Sequence, residues 1–263
     1  MHAISRHNMV ISRHEPPAVT TDRLIFLLPI VMHICHNQKR SIPYIFQHNP
    51  DFKGFGNENP PGVKLMQFHV HDEITGIILA GGKSRRMGRD KALLKVNGVR
   101  MIERVANVLR ENFSRLLLIG DRHERFSDLD LPVLPDIYPG SSLGGLYTGL
   151  YHAATEYVFA VSCDLPFPNA DVIRHLCSLR SGFDAVVPVS GRGYEPLFAL
   201  YAKSCMAPIR AQLEHGEFCA HAYYPQIRVR HVLQEELACF DCDGRAFLNI
   251  NTPEEFVRIG GEL

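Results

Sequence analysis

From Thr75 onward the chain predicts a three-layer α/β architecture, a mostly parallel sheet covered by helices on both faces. Three observations carry this. Short continuous apolar runs, Ile77-Ile78-Leu79-Ala80 and Tyr157 to Cys163, have the composition of strands buried on both faces. Segments with helical spacing alternate with such runs. The first run ends in Gly81-Gly82, at the place where an open sheet of this kind carries its ligands. The alternation requires right-handed crossovers and helices on both faces.

Taken in order, a strand over 75–80 leads into a basic loop. A helix is expected at about 100–113, with Met101, Ile102, Val105, Val108, Leu109 and Phe113 on its buried side. Strand 115–120, a helix near 143–154 and strand 157–163 follow. Helix 169–180, strands at 184–189 and 196–201, helix 204–214, strand 227–232 and a last helix at 253–260 complete the series. That last helix has a start signal: Thr252 as N-cap, Pro253 at the first turn and Glu255 to close a capping box. There is no internal repeat and no heptad pattern.

The chain divides near residue 70. Ahead of Ile74 lie eight of the fourteen histidines, scattered prolines and no sustained period. Leu24 to Cys35 is apolar but too short to span a bilayer, and Pro29 interrupts it. A signal peptide does not fit either, since no small-residue cleavage site follows. The polar segment 36–65 has the composition of disorder. Residues 1–70 are therefore expected to be an N-terminal extension, disordered or translated from an upstream start. Met66 would then begin the working protein, and 71–263 would form the folded domain.

Composition excludes some functions. With 28 basic and 28 acidic side chains the formal charge is zero, which argues against a broad nucleic-acid surface. Seven cysteines in a chain of this length read as reduced, hence a cytoplasmic location with no membrane role. Cys239 and Cys242 form a C-x-x-C. No second pair or suitably spaced histidines accompany it, so these read as ordinary thiols rather than zinc ligands.

The chemistry concentrates in the loop after the first strand, where Lys83, Arg85, Arg86, Arg89 and Lys91 follow Gly81-Gly82. Glycines allow a backbone to approach an anion closely, and the cations supply charge-assisted hydrogen bonds. This pattern suits a nucleoside triphosphate. It is not a P-loop, because Gly82 occupies the lysine position and Lys83-Ser84 arrive one residue late. The spacing of Gly81, Gly82 and Gly88 also fails the dinucleotide fingerprint. A second strand end carries Asp164, where a carboxylate can hold the Mg²⁺ that accompanies a triphosphate, or can simply cap a helix. Pro139 to Leu146, rich in glycine and serine, would expose backbone N–H groups near a helix start. Asn249 and Asn251 alternate with Ile250 and point to one side of an extended segment. They are read as contacts to a substrate or to metal-bound water, or as turn asparagines.

The run Leu79 to Lys91, of the form L-A-G-G-x-S-x-R-M-G-x-D-K, resembles the signature of molybdenum cofactor guanylyltransferases, members of the nucleotidyltransferase superfamily. The resemblance implies a Rossmann-like sheet of the nucleotide-diphospho-sugar transferase type. It implies that Leu79, Ala80 and Gly81 line the base and ribose, with Gly82 leaving room for a purine, while Arg86 and Lys91 hold phosphates. Asp164 matches the family's magnesium aspartate. Asp136 matches an aspartate that contacts the nucleotide, and Gly144 and Gly145 match a loop facing the second substrate. Glu195-Pro196 opens a strand similar to the family's pterin-facing one, and Asn249 to Glu255 is similar to its N-x-N-T-P-E-E. One position departs: some members place an asparagine after the strand Leu116 to Ile119, where this chain has Gly120-Asp121, so that role is not carried over.

The activity implied is transfer of GMP from GTP to molybdopterin, releasing pyrophosphate, with Mg²⁺ as cofactor. GTP, molybdopterin and proteins of molybdenum cofactor delivery are the implied partners. A cytidylyltransferase acting on the same pterin, a sugar-1-phosphate guanylyltransferase and a catalytically silent nucleotide sensor stay open as alternatives.

Overall fold

A computed structural model describes residues 71–80, 91–120, 123–250 and 252–262. The proposed extension, residues 1–70, lies outside them. Four strands build one wing of the main sheet: β1 (Ile74–Leu79), β4 (Arg115–Ile119), β5 (Val133–Leu134) and β6 (Tyr157–Ser162). β7 (Ala185–Ser190), β8 (Gly193–Tyr194), β9 (Phe198–Ala202) and β10 (Val229–Leu233) build the other. The order is β10-β7-β9-β6-β1-β4-β5, with β8 paired to β7. β1 runs parallel to both neighbours, aligning Leu79 with Ile119 on one side and Ser162 on the other.

Two strands run against the rest: the short β8 is antiparallel to β7, and β9 is antiparallel to both β6 and β7. The connection from Ser190 to Phe198 explains this, because it is too short for the crossover that a parallel return needs. Pro196, which has no N–H to give, delays the start of β9 to Phe198. β9 therefore begins beside the carboxyl end of β6, where the Ser162 N–H donates to the Leu197 carbonyl at 2.9 Å.

Each face of the sheet carries its own core. β1 alternates strictly, sending Ile74 and Ile78 to one side and Ile77 and Leu79 to the other. The first side is covered by α1 (Met101–Arg110) and α3 (Ala170–Ser178), whose apolar stripes include Ile102, Val105, Leu109, Val172, Ile173 and Leu176. The second is covered by α2 (Ser142–His152) and α4 (Met206–Glu214), through Leu143, Leu146, Leu150, Ile209 and Leu213. This is the expected three-layer arrangement. The helix expected at 204–214 opens as a 3-10 turn, Lys203–Cys205. A short helix, α5 (Gln234–Leu237), closes β10.

A small second sheet has no counterpart in the sequence expectations. β2 (Lys95–Val96) and β3 (Val99–Arg100) form a hairpin around Asn97 and Gly98, whose φ angles are 50° and 76°. Two left-handed residues in a two-residue loop make the turn that matches strand twist. β11 (Gly261–Glu262) adds to β2, and α6 (Pro253–Arg258) packs Phe256 against Leu94, Val96, Met101 and Ile250. The start of α6 has the expected capping box: the Glu255 N–H donates to Thr252 Oγ1 at 3.2 Å and the Thr252 N–H to Glu255 Oε2 at 3.3 Å.

Candidate active site

The carboxyl ends of four parallel strands meet along one edge. The Cys163 N–H donates to the Leu79 carbonyl at 3.1 Å, the Ala80 N–H to the Ile119 carbonyl at 2.9 Å and the Gly120 N–H to the Leu134 carbonyl at 2.9 Å. β4 and β5 lie to one side of β1 and β6 to the other, so the strand order reverses at β1. An open α/β sheet binds ligands at that point.

Asp164, just beyond β6, is the centre of the polar cluster there. Its Oδ1 accepts from Ser162 Oγ at 2.5 Å, and Lys91 Nζ stands 3.7 Å from Oδ2. Lys91 donates to the Ile250 carbonyl at 2.5 Å, which fixes the ammonium between two chain segments. With its amide nitrogen turned inward, Asn249 donates to both Asp164 oxygens at 3.2 and 3.1 Å. The Lys91 and Asp164 side chains keep 16% and 22% of their exposure, so the pair is sheltered yet reachable by a ligand. The sequence-predicted Lys91, Asp164 and Asn249 thus meet in one place, although the chain brings them from three separate segments.

Among the described residues no group of three or more His, Cys, Asp or Glu side chains could hold a metal ion. A lone carboxylate is nonetheless a suitable anchor for Mg²⁺, which keeps several waters and shares substrate phosphate oxygens. Among the described residues Asp164 is met by the Ser162 hydroxyl, the Asn249 amide and the Lys91 ammonium, and as an oriented carboxylate it fits that donor set.

Asp136 joins the same edge from the β5–α2 connection. Its Oδ1 accepts from the Tyr138 N–H at 3.0 Å and from Thr148 Oγ1 at 2.8 Å, which orients the carboxylate. A methyl group on Gly145 would lie 3.2 Å from Leu79 Cδ2 and 3.9 Å from Asp136 Oδ2, so Leu79, Gly145 and Asp136 adjoin.

Within Pro139 to Leu146, expected to expose backbone N–H groups, Gly144 and Gly145 do not do so. Both glycines are buried in the first turn of α2. The Gly144 N–H donates to Ser141 Oγ at 3.0 Å and the Gly145 N–H to the Ser141 carbonyl at 3.3 Å. Glycine is needed at 144 for a different reason, since a Cβ there would lie 1.9 Å from the Tyr138 carbonyl oxygen.

Glu195 is also engaged within the protein. Its Oε1 accepts from Ser190 Oγ at 2.6 Å and from Arg192 Nη2 at 3.2 Å. The Pro196 carbonyl accepts from Tyr201 Oη at 2.7 Å. Gly81, Gly82, Arg86 and Asn251 lie outside the described residues, as does Asp121. The cysteines of the C-x-x-C, Cys239 and Cys242, are exposed and form no disulfide. Sequence reasoning missed Ser162, the Ile250 carbonyl and Thr148. Ser162 had a local signal, a hydroxyl two residues before the carboxylate, whereas the other two contacts are products of tertiary structure.

Residues 76–228 match the family model described as the MobA-like NTP transferase domain. The chain belongs to this family. Among relatives of this MobA-like chain, a probable molybdenum cofactor guanylyltransferase of Pelotomaculum thermopropionicum is 39% identical over 187 residues, which are 71% of this chain and 91% of that protein. A molybdenum cofactor guanylyltransferase of Desulfosudis oleivorans is 35% identical, over 70% of this chain and 93% of its own length. The crystal structure of molybdopterin-guanine dinucleotide biosynthesis protein A from Archaeoglobus fulgidus matches with a TM-score of 0.63 at 25% identity. It covers 71% of this chain and 96% of its own. Among the described residues of the MobA-like chain, no helix is long and apolar enough to cross a membrane.

Proposed function

We propose that this chain is a molybdenum cofactor guanylyltransferase, which moves GMP from GTP to the phosphate of molybdopterin and releases pyrophosphate. One observation carries the reading. Lys91, Asp164 and Asn249 converge at the strand-order reversal of a MobA-like fold whose relatives bear that name.

An oxygen of the acceptor phosphate attacks the α-phosphorus of GTP in line. The new P–O bond forms as the bond to the β-phosphate oxygen breaks, and pyrophosphate leaves with that electron pair. The protein forms no covalent bond, so its work is alignment and charge neutralisation. Asp164, oriented by Ser162 and Asn249, is the residue that would hold Mg²⁺. When bound, that ion neutralises phosphate charge as a Lewis acid. Lys91, held at the Ile250 carbonyl, offers its ammonium to charge growing on the leaving group.

Leu79, Ala80 and Asp136 are assigned to the base and ribose, and Gly81 and Gly82 by the motif alone. Arg86 is assigned to the phosphates by the motif alone. Asn249 is assigned to the acceptor side, and Asn251, Glu195, Pro196, Gly144 and Gly145 are assigned there by the family resemblance alone. GTP and molybdopterin are thus the small-molecule partners, with cofactor-delivery proteins as further ones and the cytoplasm as the place of action. The test is pyrophosphate release with Mg²⁺ and molybdopterin across the four ribonucleoside triphosphates. GTP should support the fastest release; a preference for CTP, or indifference to molybdopterin, would overturn the reading.

A further inference from the structure

Arg192 forms a tie between the β7–β8 turn and the segment that carries Asn249. Its guanidinium Nη2 donates to Glu195 Oε1 at 3.2 Å and also to the Phe247 carbonyl. Glu195 is pinned in turn by Ser190 Oγ at 2.6 Å, and the same hydroxyl accepts from the Arg192 N–H at 3.1 Å. The Glu195 N–H donates to the Pro188 carbonyl at 2.9 Å, so the carboxylate stands on sheet backbone. Glu195 keeps only 15% side-chain exposure, whereas Arg192 keeps 51%.

The Phe247 ring is already set by packing edge-on against Phe198, with centroids 5.4 Å apart. The Phe247–Leu248 peptide, which sets the course of the chain toward Asn249, is held on its N–H side, where the Leu248 N–H donates to the Arg245 carbonyl at 3.0 Å. The Arg192 guanidinium ties the same peptide on its carbonyl side. Between Phe247 and α6 the described residues form no helix or strand, so few backbone ties other than the Leu248 turn bond and the Lys91 contact at Ile250 hold the segment of Asn249.

We infer that Arg192 is a positioning residue: braced by Glu195, it fixes the Phe247 peptide and thereby holds the Asn249 amide on the Asp164 carboxylate. The functional part of this inference rests on the transfer reaction proposed above. It also gives Glu195 a role in the site other than substrate contact. A misplacement of about 1 Å at such a site can cost on the order of a hundredfold in rate, so an indirect brace is enough to matter.

The full chain is compared as wild type, R192A, R192K, N249A and R192A/N249A, with R192Q in reserve should R192A fail to fold. The first readout is the side-chain amide signal of Asn249 in a ¹⁵N–¹H spectrum, identified by its loss in N249A. It should shift and broaden in R192A and return toward the wild-type position in R192K. An unchanged signal in R192A overturns the inference.

The second readout is turnover. In R192A kcat should fall roughly tenfold to a hundredfold, with GTP affinity held within about twofold. R192A/N249A should be no slower than N249A, because one residue acts through the other. Additive losses in that cycle also overturn the inference. Absence of guanylyl transfer in the wild type would instead refute the proposed reaction, while the amide signal still decides the role of Arg192.

Discussion

Asp164 is a carboxylate placed where strands end and surrounded by donors that leave its charge in use. Ser162, Lys91 and Asn249 all address it, and two of the three are contributed by distant segments. Replacing Asp164 with Asn removes the charge but keeps the shape and much of the hydrogen bonding. Turnover should fall by about a hundredfold or more, the loss typical of an electrostatic group, while the melting temperature changes little. Lys91→Ala should lower kcat by a similar order, because the Ile250 carbonyl and Asp164 lose their shared cation. Calorimetry alongside steady-state kinetics checks both, and normal turnover in either variant would remove that residue from the site. Lys91 and Asp164 could be picked out in the sequence as candidates because they sit in a compact motif and at a strand end. The engagement of Glu195 could not, since it depends on a turn that folds Arg192 back onto it.

Helix α2 illustrates how an element can be misread while its position is found. A run of glycine and serine suggests a pliable anion loop, yet Gly144 and Gly145 are buried and their N–H groups are taken by Ser141. Gly144→Ala drives a methyl group to 1.9 Å from the Tyr138 carbonyl oxygen, so the backbone must move. The cost should be about 1–3 kcal/mol, the usual penalty for overpacking, read as a lower urea midpoint with unchanged slope. The strands β2, β3, β5, β8 and β11 were beyond reach for another reason. Each contains two residues, too few to show a period of two, and only their partners define them. Asn97-Gly98 was the one readable sign among them, since that pair favours a tight hairpin turn.

Across the whole molecule, Asp184 links three elements at the end of the sheet opposite the site. It accepts from the Arg228 N–H at 2.9 Å and Nε at 3.1 Å, and from Ser204 Oγ at 2.8 Å. The Arg228 guanidinium, helped by the Arg228 N–H and the Ser204 hydroxyl, holds the carboxyl well below the usual carboxylate range. A depressed folded value means that this stabilisation is complete above the unfolded value of about 3.9 and is lost as pH falls toward the folded one. Asp184→Asn should therefore be less stable than wild type at pH 7, with the gap narrowing below about pH 4. Urea unfolding at pH 7 and pH 3 measures this, and a constant gap would exclude the linkage. A chain beginning at Met66 should keep the fold and guanylyl transfer, because the site and both cores lie from His71 onward. An unfolded or inactive shortened chain would assign the preceding residues a part in the domain.

The amino-acid sequence determined the alternation of strands and helices, and it marked the carboxyl ends of the strands and Lys91, Asp164 and Asn249 as candidates for a site, three side chains that the fold brings together. Those signals are encoded locally, in apolar runs, helical spacing, caps and one dense motif. Tertiary structure alone decided that β9 runs against its neighbours, that Gly144 serves packing, and that Ile250 lends a carbonyl to Lys91. Such contacts join residues far apart in the chain through backbone atoms that every residue possesses, so no residue type announces them beforehand.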